Sequence, residues 1–282
     1  MLTGRVLLIA FEGWNDATEG ASGALKAIAQ QIGAQTLEAV DPEDYYDFQF
    51  SRPMVEVDDE GNRTISWPGA EFMQADRDHI DQKPALDRLY LLIGSEPSRR
   101  WLSFASEVLE MVQDREIETV IMLGSMLADV PHTRPMPIFK SSQNEAFRLR
   151  FDLEPSRYEG PVGILSILAQ AFEAEGIPVL SLWGSVPHYV HNTTNPKAAL
   201  GFLAEITSLI GIGFETTELA DLAFEWERSI DDVAEGDEEM TSYVSQLEAN
   251  RDQLESEQAS GDALAREFER YLNERKDGAG EG

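Results

Sequence analysis

Several groups of residues in this 282-residue chain carry side chains that could do chemistry. Glu12, Asn15 and Asp16 stand where a short apolar run, Val6–Phe11, gives way to an alanine-rich stretch. Two carboxylates so close together could act as acid and base or hold a cation. The structural alternative is that Asp16 caps the following helix and Trp14 packs, since aspartate is a favoured N-cap. Glu12 ends an apolar strand, a costly place for an acid unless it is paired. The segment Asp129–Pro135 sets an acid, His132 and Arg134 around two prolines that stiffen the loop. His132 could carry a proton near neutral pH and Arg134 could clamp an anion. Alternatively the loop is simply rigid, with Arg134 paired to Asp129 or Asp152.

His188, Tyr189, His191 and Asn192 follow another apolar run, Val179–Trp183. Two histidines three apart suggest zinc, but a tetrahedral site wants more ligands, and the remaining histidines are His79 and His132. No metal is expected, and His188 and Tyr189 read as cleft-lining or interface residues. Ser95, Ser125 and Ser185 each follow a glycine, yet none stands in the G-x-S-x-G of a hydrolase elbow. They suit hydrogen bonding to an anion or to the next turn. No G-x-G-x-x-G follows the first strand, so no dinucleotide loop is indicated and no cofactor is expected.

The elements that must position these residues are short. Val6–Phe11, Tyr90–Ile93, Thr119–Leu123 and Val179–Trp183 read as strands buried on both faces. Thr36–Val40 is a further strand, and Met54–Val57 with Thr64–Trp67 reads as a hairpin turning through Asp58–Asn62. Helical patterns span Ala17–Ile32, Trp101–Val112, Ser166–Glu175 and Pro196–Ile210, the last capped by Asn195 ahead of a first-turn proline. Alternation of strands and helices predicts a parallel or mixed sheet covered on both faces. Three strands end in Gly-Ser and the first in Glu12-Gly13, so the glycines are expected to mark sharp exits or close approaches gathered at one edge.

From Glu215 onward the chain holds 21 acidic and 6 basic side chains, half of the net charge of −30. A boundary is therefore placed near residue 213, with an α/β core over 1–213 and an acidic helical extension over 214–282. Apolar stripes at Leu219–Val233, Met240–Leu254 and Leu264–Leu272 require the extension to pack on its own core, a neighbouring subunit or a foreign partner. Such acidity argues against nucleic acid and anionic membranes as partners. No secretory signal or membrane span is expected, and the absence of cysteine agrees with a reducing, cytoplasmic setting.

Several motifs taken together resemble a known family. They are Glu12-Gly13-Trp14-Asn15-Asp16-Ala17, Gly124-Ser125-Met126, and Asp129-Val130-Pro131-His132-Thr133-Arg134-Pro135. They continue with Arg157–Ile164 and Leu182-Trp183-Gly184-Ser185-Val186-Pro187-His188-Tyr189. In this order they resemble the proteasome assembly chaperone 2 family over residues 1 to about 212. Tyr243-Val244, Leu247-Glu248 and Ser260–Ala263 resemble the extension of its actinobacterial branch. The resemblance implies a three-layer α/β/α sandwich with a mostly parallel sheet, akin to nucleoside phosphorylase and peptidase-like folds, plus a C-terminal helical extension. It also implies a homo-oligomer, with a trimer as the expected form, and a proteasome-related protein partner. On this reading the protein is a non-catalytic assembly or scaffold protein. The competing readings are a small-molecule enzyme (hydrolase, phosphorylase or amide-bond ligase) and a binder of an anionic metabolite, each using the strand-exit residues.

Overall fold

The computed structural model describes residues 1–57, 61–153, 156, 158–190 and 193–256. In chain order the elements are β1 (Val6–Glu12), α1 (Gly20–Gln31), β2 (Gln35–Ala39), α2 (Pro42–Tyr45), β3 (Met54–Val57), β4 (Arg63–Ser66) and β5 (Ala70–Gln74). There follow α3 (Arg77–Gln82), β6 (Leu89–Ser95), α4 (Trp101–Asp114), β7 (Thr119–Ala128), β8 (Ile138–Ser141), α5 (Glu145–Phe151) and α6 (Ile164–Ala174). The chain continues through β9 (Val179–Pro187), α7 (Pro196–Ile210) and α8 (Thr217–Glu235). Residues 238–256 form a further helix, α9.

One seven-stranded sheet runs β2-β5-β6-β1-β7-β9-β8. Its four central strands, β6, β1, β7 and β9, are mutually parallel, and antiparallel strands flank them on both sides. β1 shows why an uninterrupted apolar run belongs in the middle. Successive side chains alternate faces, so Val6, Leu8 and Ala10 join one core with α1 and α7. Leu7, Ile9 and Phe11 join the other with α4 and α6. The result is an α/β/α sandwich with a helical C-terminal region.

The predicted central strands and main helices are found with shifts of a few residues at their ends, and Asn195 caps α7 by accepting from the Ala198 N–H at 2.9 Å. Two antiparallel members of the sheet, β5 and β8, escape the sequence reading. The first helix is also shorter than expected: Thr18 and Glu19 take left-handed conformations (φ 60° and 54°) and delay it until Gly20. The hairpin residues Asp58, Asp59 and Glu60, and the stripe Leu264–Leu272, lie outside the described residues.

Both roles expected of the glycines occur, but three of the four do not stand where strands end. Gly13 does turn, at φ 106°. Gly94, Gly124 and Gly184 instead lie inside strands, and β7 and β9 run on past their Gly-Ser pairs to Ala128 and Pro187. These glycines admit neighbours. A Cβ at Gly94 would stand 2.1 Å from the Gly69 carbonyl oxygen, one at Gly124 2.7 Å from the Trp183 ring, and one at Gly184 2.8 Å from Phe202. Gly23 differs, its added Cβ meeting only Ala199 at 3.6 Å. Gly94→Ala should therefore cost about 2–3 kcal/mol, because a backbone atom has to move. Gly23→Ala should be neutral or stabilise α1 by up to about 1 kcal/mol. Urea unfolding of both variants checks this; equal effects would refute the close-approach account.

Candidate functional site

The parallel strands β6, β1, β7 and β9 share a direction, so their carboxyl ends deliver the candidate residues to one edge of the sheet. Two clusters form there.

The first surrounds the exit of β1. Asp16 is buried and its carboxylate accepts the backbone N–H groups of Ala21 (2.8 Å) and Ser22 (2.9 Å), in the first turn of α1. The Ser125 hydroxyl lies 2.7 Å from both Asp16 Oδ1 and the Ala17 carbonyl. Asp16 thus acts as a helix cap reaching back from four residues before the helix, and it ties β1 to β7. Trp14 does not pack, contrary to expectation, and stays 73% exposed. Glu12 is paired, as an acid at a strand end requires: Lys26 of α1 lies 2.5 Å away and the Ser95 hydroxyl 3.3 Å away. Burial works against the Lys26 ammonium, yet the hydrogen bond to Glu12 and the attraction of Glu12, Glu19 and Asp16 hold its pKa above the ordinary lysine value. Asn15 is buried, and its amide donates to Glu96 at 2.7 Å. Glu96 also accepts the Ile164 N–H at 2.8 Å, which caps α6 from the far side of a loop. The sequence reading passed over Glu96 and Lys26, although Glu96 directly follows the singled-out Gly94-Ser95 pair.

The second cluster lies at the ends of β7 and β9. His132 is almost fully buried. Its Nδ1 is 2.8 Å from the Tyr189 hydroxyl, its N–H donates to that same hydroxyl at 2.8 Å, and its Nε2 is 3.0 Å from Asp231 of α8. Burial pushes the Tyr189 phenol up to about 12. The rigid-loop alternative pairs Arg134 with Asp129 or Asp152. Instead it forks onto Asp252 of α9 (2.8 and 2.9 Å) and reaches Glu248 at 3.1 Å. Thr133 donates to Glu248 at 2.5 Å, and Lys197 bonds the His132 carbonyl (2.5 Å) and Glu227 of α8. His188 packs edge-on to Tyr189 and Tyr243, with its Nδ1 3.3 Å from Asp129. Ser185 is buried and donates its N–H to Pro137.

The described part of the acidic tail therefore lies over its own core. α8 and α9 bury Ala223, Ile230, Ala234, Val244 and Leu247 and bring Asp231, Glu227, Glu248 and Asp252 to His132, Lys197 and Arg134. The cavity left beneath them holds about 10 Å³, room for a single water. Arg134 does clamp anions, but they belong to this chain. Ser125 is inside the first cluster, while His188 and Tyr189 belong to the second. Adjacent β7–β9 pairing, Met126 opposite Ser185, is what sets the two side by side. His191 and Asn192 lie outside the described residues. Among those described, no group of three or more metal-ligating side chains comes together, and no helix is long and apolar enough to cross a membrane.

The Asp252 carboxyl is held below the usual aspartate range by its hydrogen bond from the Arg134 guanidinium. A depressed folded-state pKa gives a contribution that is complete above the ordinary value, near 4, and is lost as pH falls through the lower folded value. Hydrogen-exchange protection of residues 238–256, corrected for intrinsic rates, should thus fall at pH below about 4. In Arg134→Gln it should already be reduced at neutral pH. Protection unchanged by that substitution would show that the clamp does not hold the helix.

Comparison with known proteins places this arrangement among relatives. The model of the PAC2 family matches residues 10–234. The crystal structure of a PAC2 family protein from Streptomyces avermitilis is 38% identical, with a TM-score of 0.74 over 85% of this chain and 99% of that one. A Mycobacterium tuberculosis proteasome-assembly chaperone homologue is 35% identical, with a TM-score of 0.74 and the same coverage. An archaeal proteasome activator from Pyrococcus furiosus, 17% identical with a TM-score of 0.62 over 81% of this chain and 93% of that one, shares the fold alone. No curated protein matches the chain.

Proposed function

Because this chain belongs to the PAC2 family, we propose that it is a non-catalytic assembly chaperone or scaffold protein, proteasome-related, working in the cytoplasm as a homo-oligomer. The family resemblance makes a trimer the assembly of choice. In this reading residues 1–213 are the core that engages the partner, and 214–282 form an extension that braces it.

One observation carries the non-catalytic reading: the polar residues at the strand exits are engaged with one another. Asp16 is consumed by helix capping, Asn15 and Glu96 by a loop and a helix end, and His132 and Arg134 by the tail. Groups locked in mutual hydrogen bonds make a stiff platform, as a docking protein needs. Similarity to a proteasome-assembly chaperone homologue at 35% identity supplies the partner class.

The test is reconstitution. Purified proteasome α-subunits are mixed with and without this protein, and ring formation is followed on native gels with mass measurement of each band. Faster or more complete rings, or a band containing both proteins, are the expected results. If neither appears, the proteasome reading is wrong. Sedimentation of the protein alone tests the oligomer, with a mass three times 31.4 kDa expected.

A further inference from the structure

Gly236 and Asp237 alone connect α8 to α9. Gly236 ends α8 at φ −79° and ψ −7°, inside the right-handed region, without the left-handed residue that commonly terminates a helix. Local bonds hold the bend instead. The Asp237 carboxylate accepts the N–H groups of Glu239 (2.9 Å) and Met240 (3.2 Å) and so caps α9. The Thr241 hydroxyl donates to the Ala234 carbonyl at 2.7 Å.

The sequence keeps one apolar register across that bend. Leu219, Trp226, Val233, Met240, Leu247 and Leu254 follow one another at seven-residue spacing. Ala223, Ile230 and Val244 stand four residues after members of that series and complete a heptad stripe. Such a stripe marks one face of a single helix, whereas a turn between two helices imposes no common phase. In the folded-back form the stripe is broken: Val233, just before the bend, is 71% exposed and Leu254 is 54% exposed.

The two helices are also held differently. α8 and the residues leading into it are tied to their own core. Gln31 and Glu215 exchange hydrogen bonds at 2.8 Å, Lys83 bonds the Gly213 carbonyl, and Lys197 and His132 meet Glu227 and Asp231. α9 reaches the core beyond α8 through Tyr243 against His188 and Tyr189, and through Glu248 and Asp252 on Thr133 and Arg134. Those contacts are the same whichever copy supplies the helix. Handing α9 to a neighbour therefore conserves them, and only the bonds of the bend give way to helical ones. We propose that α9 is exchanged between copies: α8 and α9 straighten into one helix over 217–256, and Glu248 and Asp252 seat on the Thr133–Arg134 loop of a second copy. At 1.5 Å per residue that helix is about 60 Å long, so its far half stands clear of its own core. This rests on the homo-oligomer reading above and names the element that links the copies.

The chain contains no cysteine, so single introduced cysteines report exchange. Full-length protein carrying Thr133→Cys is mixed with full-length protein carrying Glu248→Cys, incubated at high concentration and joined with a short bis-maleimide. A covalent pair with one chain of each kind is expected. Asp237→Ala, which removes the cap of α9 and suits a continuous helix, should raise its yield at least threefold. Glu238→Pro suits the first position of α9 but breaks a helix running through it, and should lower the yield tenfold or more. The proline variant leaves the folded-back form intact, so it decides the matter even if Asp237→Ala folds poorly. No mixed pair in any of the three backgrounds, or equal yields in all three, would overturn the exchange. Sedimentation of the same samples keeps the two readings apart. A trimer without mixed pairs refutes exchange alone, whereas a monomer at every concentration refutes the homo-oligomer as well.

Discussion

The buried Asp16 carboxylate is the constraint on which the carboxyl edge depends. A charge removed from water is costly unless it is paired or well hydrogen-bonded. Asp16 meets that demand with two N–H groups at the positive end of α1 and the Ser125 hydroxyl. The chain bends to make this possible, with Thr18 and Glu19 held in left-handed conformations that side chains other than glycine rarely adopt. Strain at two adjacent residues persists only where the surrounding contacts over-determine it. Here they do: the Thr18 carbonyl accepts the Asn195 N–H ahead of α7, and Gly20 lets α1 approach Ala198 so closely that a Cβ would stand 2.8 Å from its methyl. One carboxylate therefore ties β1, α1 and β7 together, and the bend beside it seats α7 against them.

The tail is governed by weaker forces. Its apolar anchors are few and mostly small, and its ion pairs are partly open to water, with Asp231 and Asp252 about half exposed. Exposed pairs contribute little each and are screened by salt. The bidentate Arg134–Asp252 fork is the strongest of them, since its planar geometry matches the carboxylate. α8 and α9 thus rest on modest contacts, and they sit directly on the loop that sequence reasoning marked as chemically active.

Much of the fold was legible because its central strands are buried on both faces and read as continuous apolar runs. β5 and β8 were not, since strands near the rim carry mixed sequences such as Ala-Glu-Phe-Met-Gln. The candidate residues reached one edge because parallel pairing forces it, and no motif was needed to see that. Their roles were harder to read. The partners of Arg134 lie 114 and 118 residues away, and no spacing rule joins a loop to a helix at that distance. The glycines left two roles open for a different reason: one residue type serves both turns and tight packing. Only coordinates show that Gly94 faces a carbonyl and Gly124 a tryptophan ring.

The two halves of the edge have opposite character, and this bears on what the molecule can bind. On the β7–β9 side His132, Arg134 and Lys197 are each paired with the chain's own acids, so an anionic ligand would have to displace them. On the β1–β6 side Glu12, Asn15, Asp16 and Glu96 are paired as well, but Trp14, Val55 and Ile65 stand exposed. An apolar ligand gains by covering such a surface at once, with no internal contact to break. A charged ligand on the other side must outcompete an intramolecular partner whose effective concentration is high.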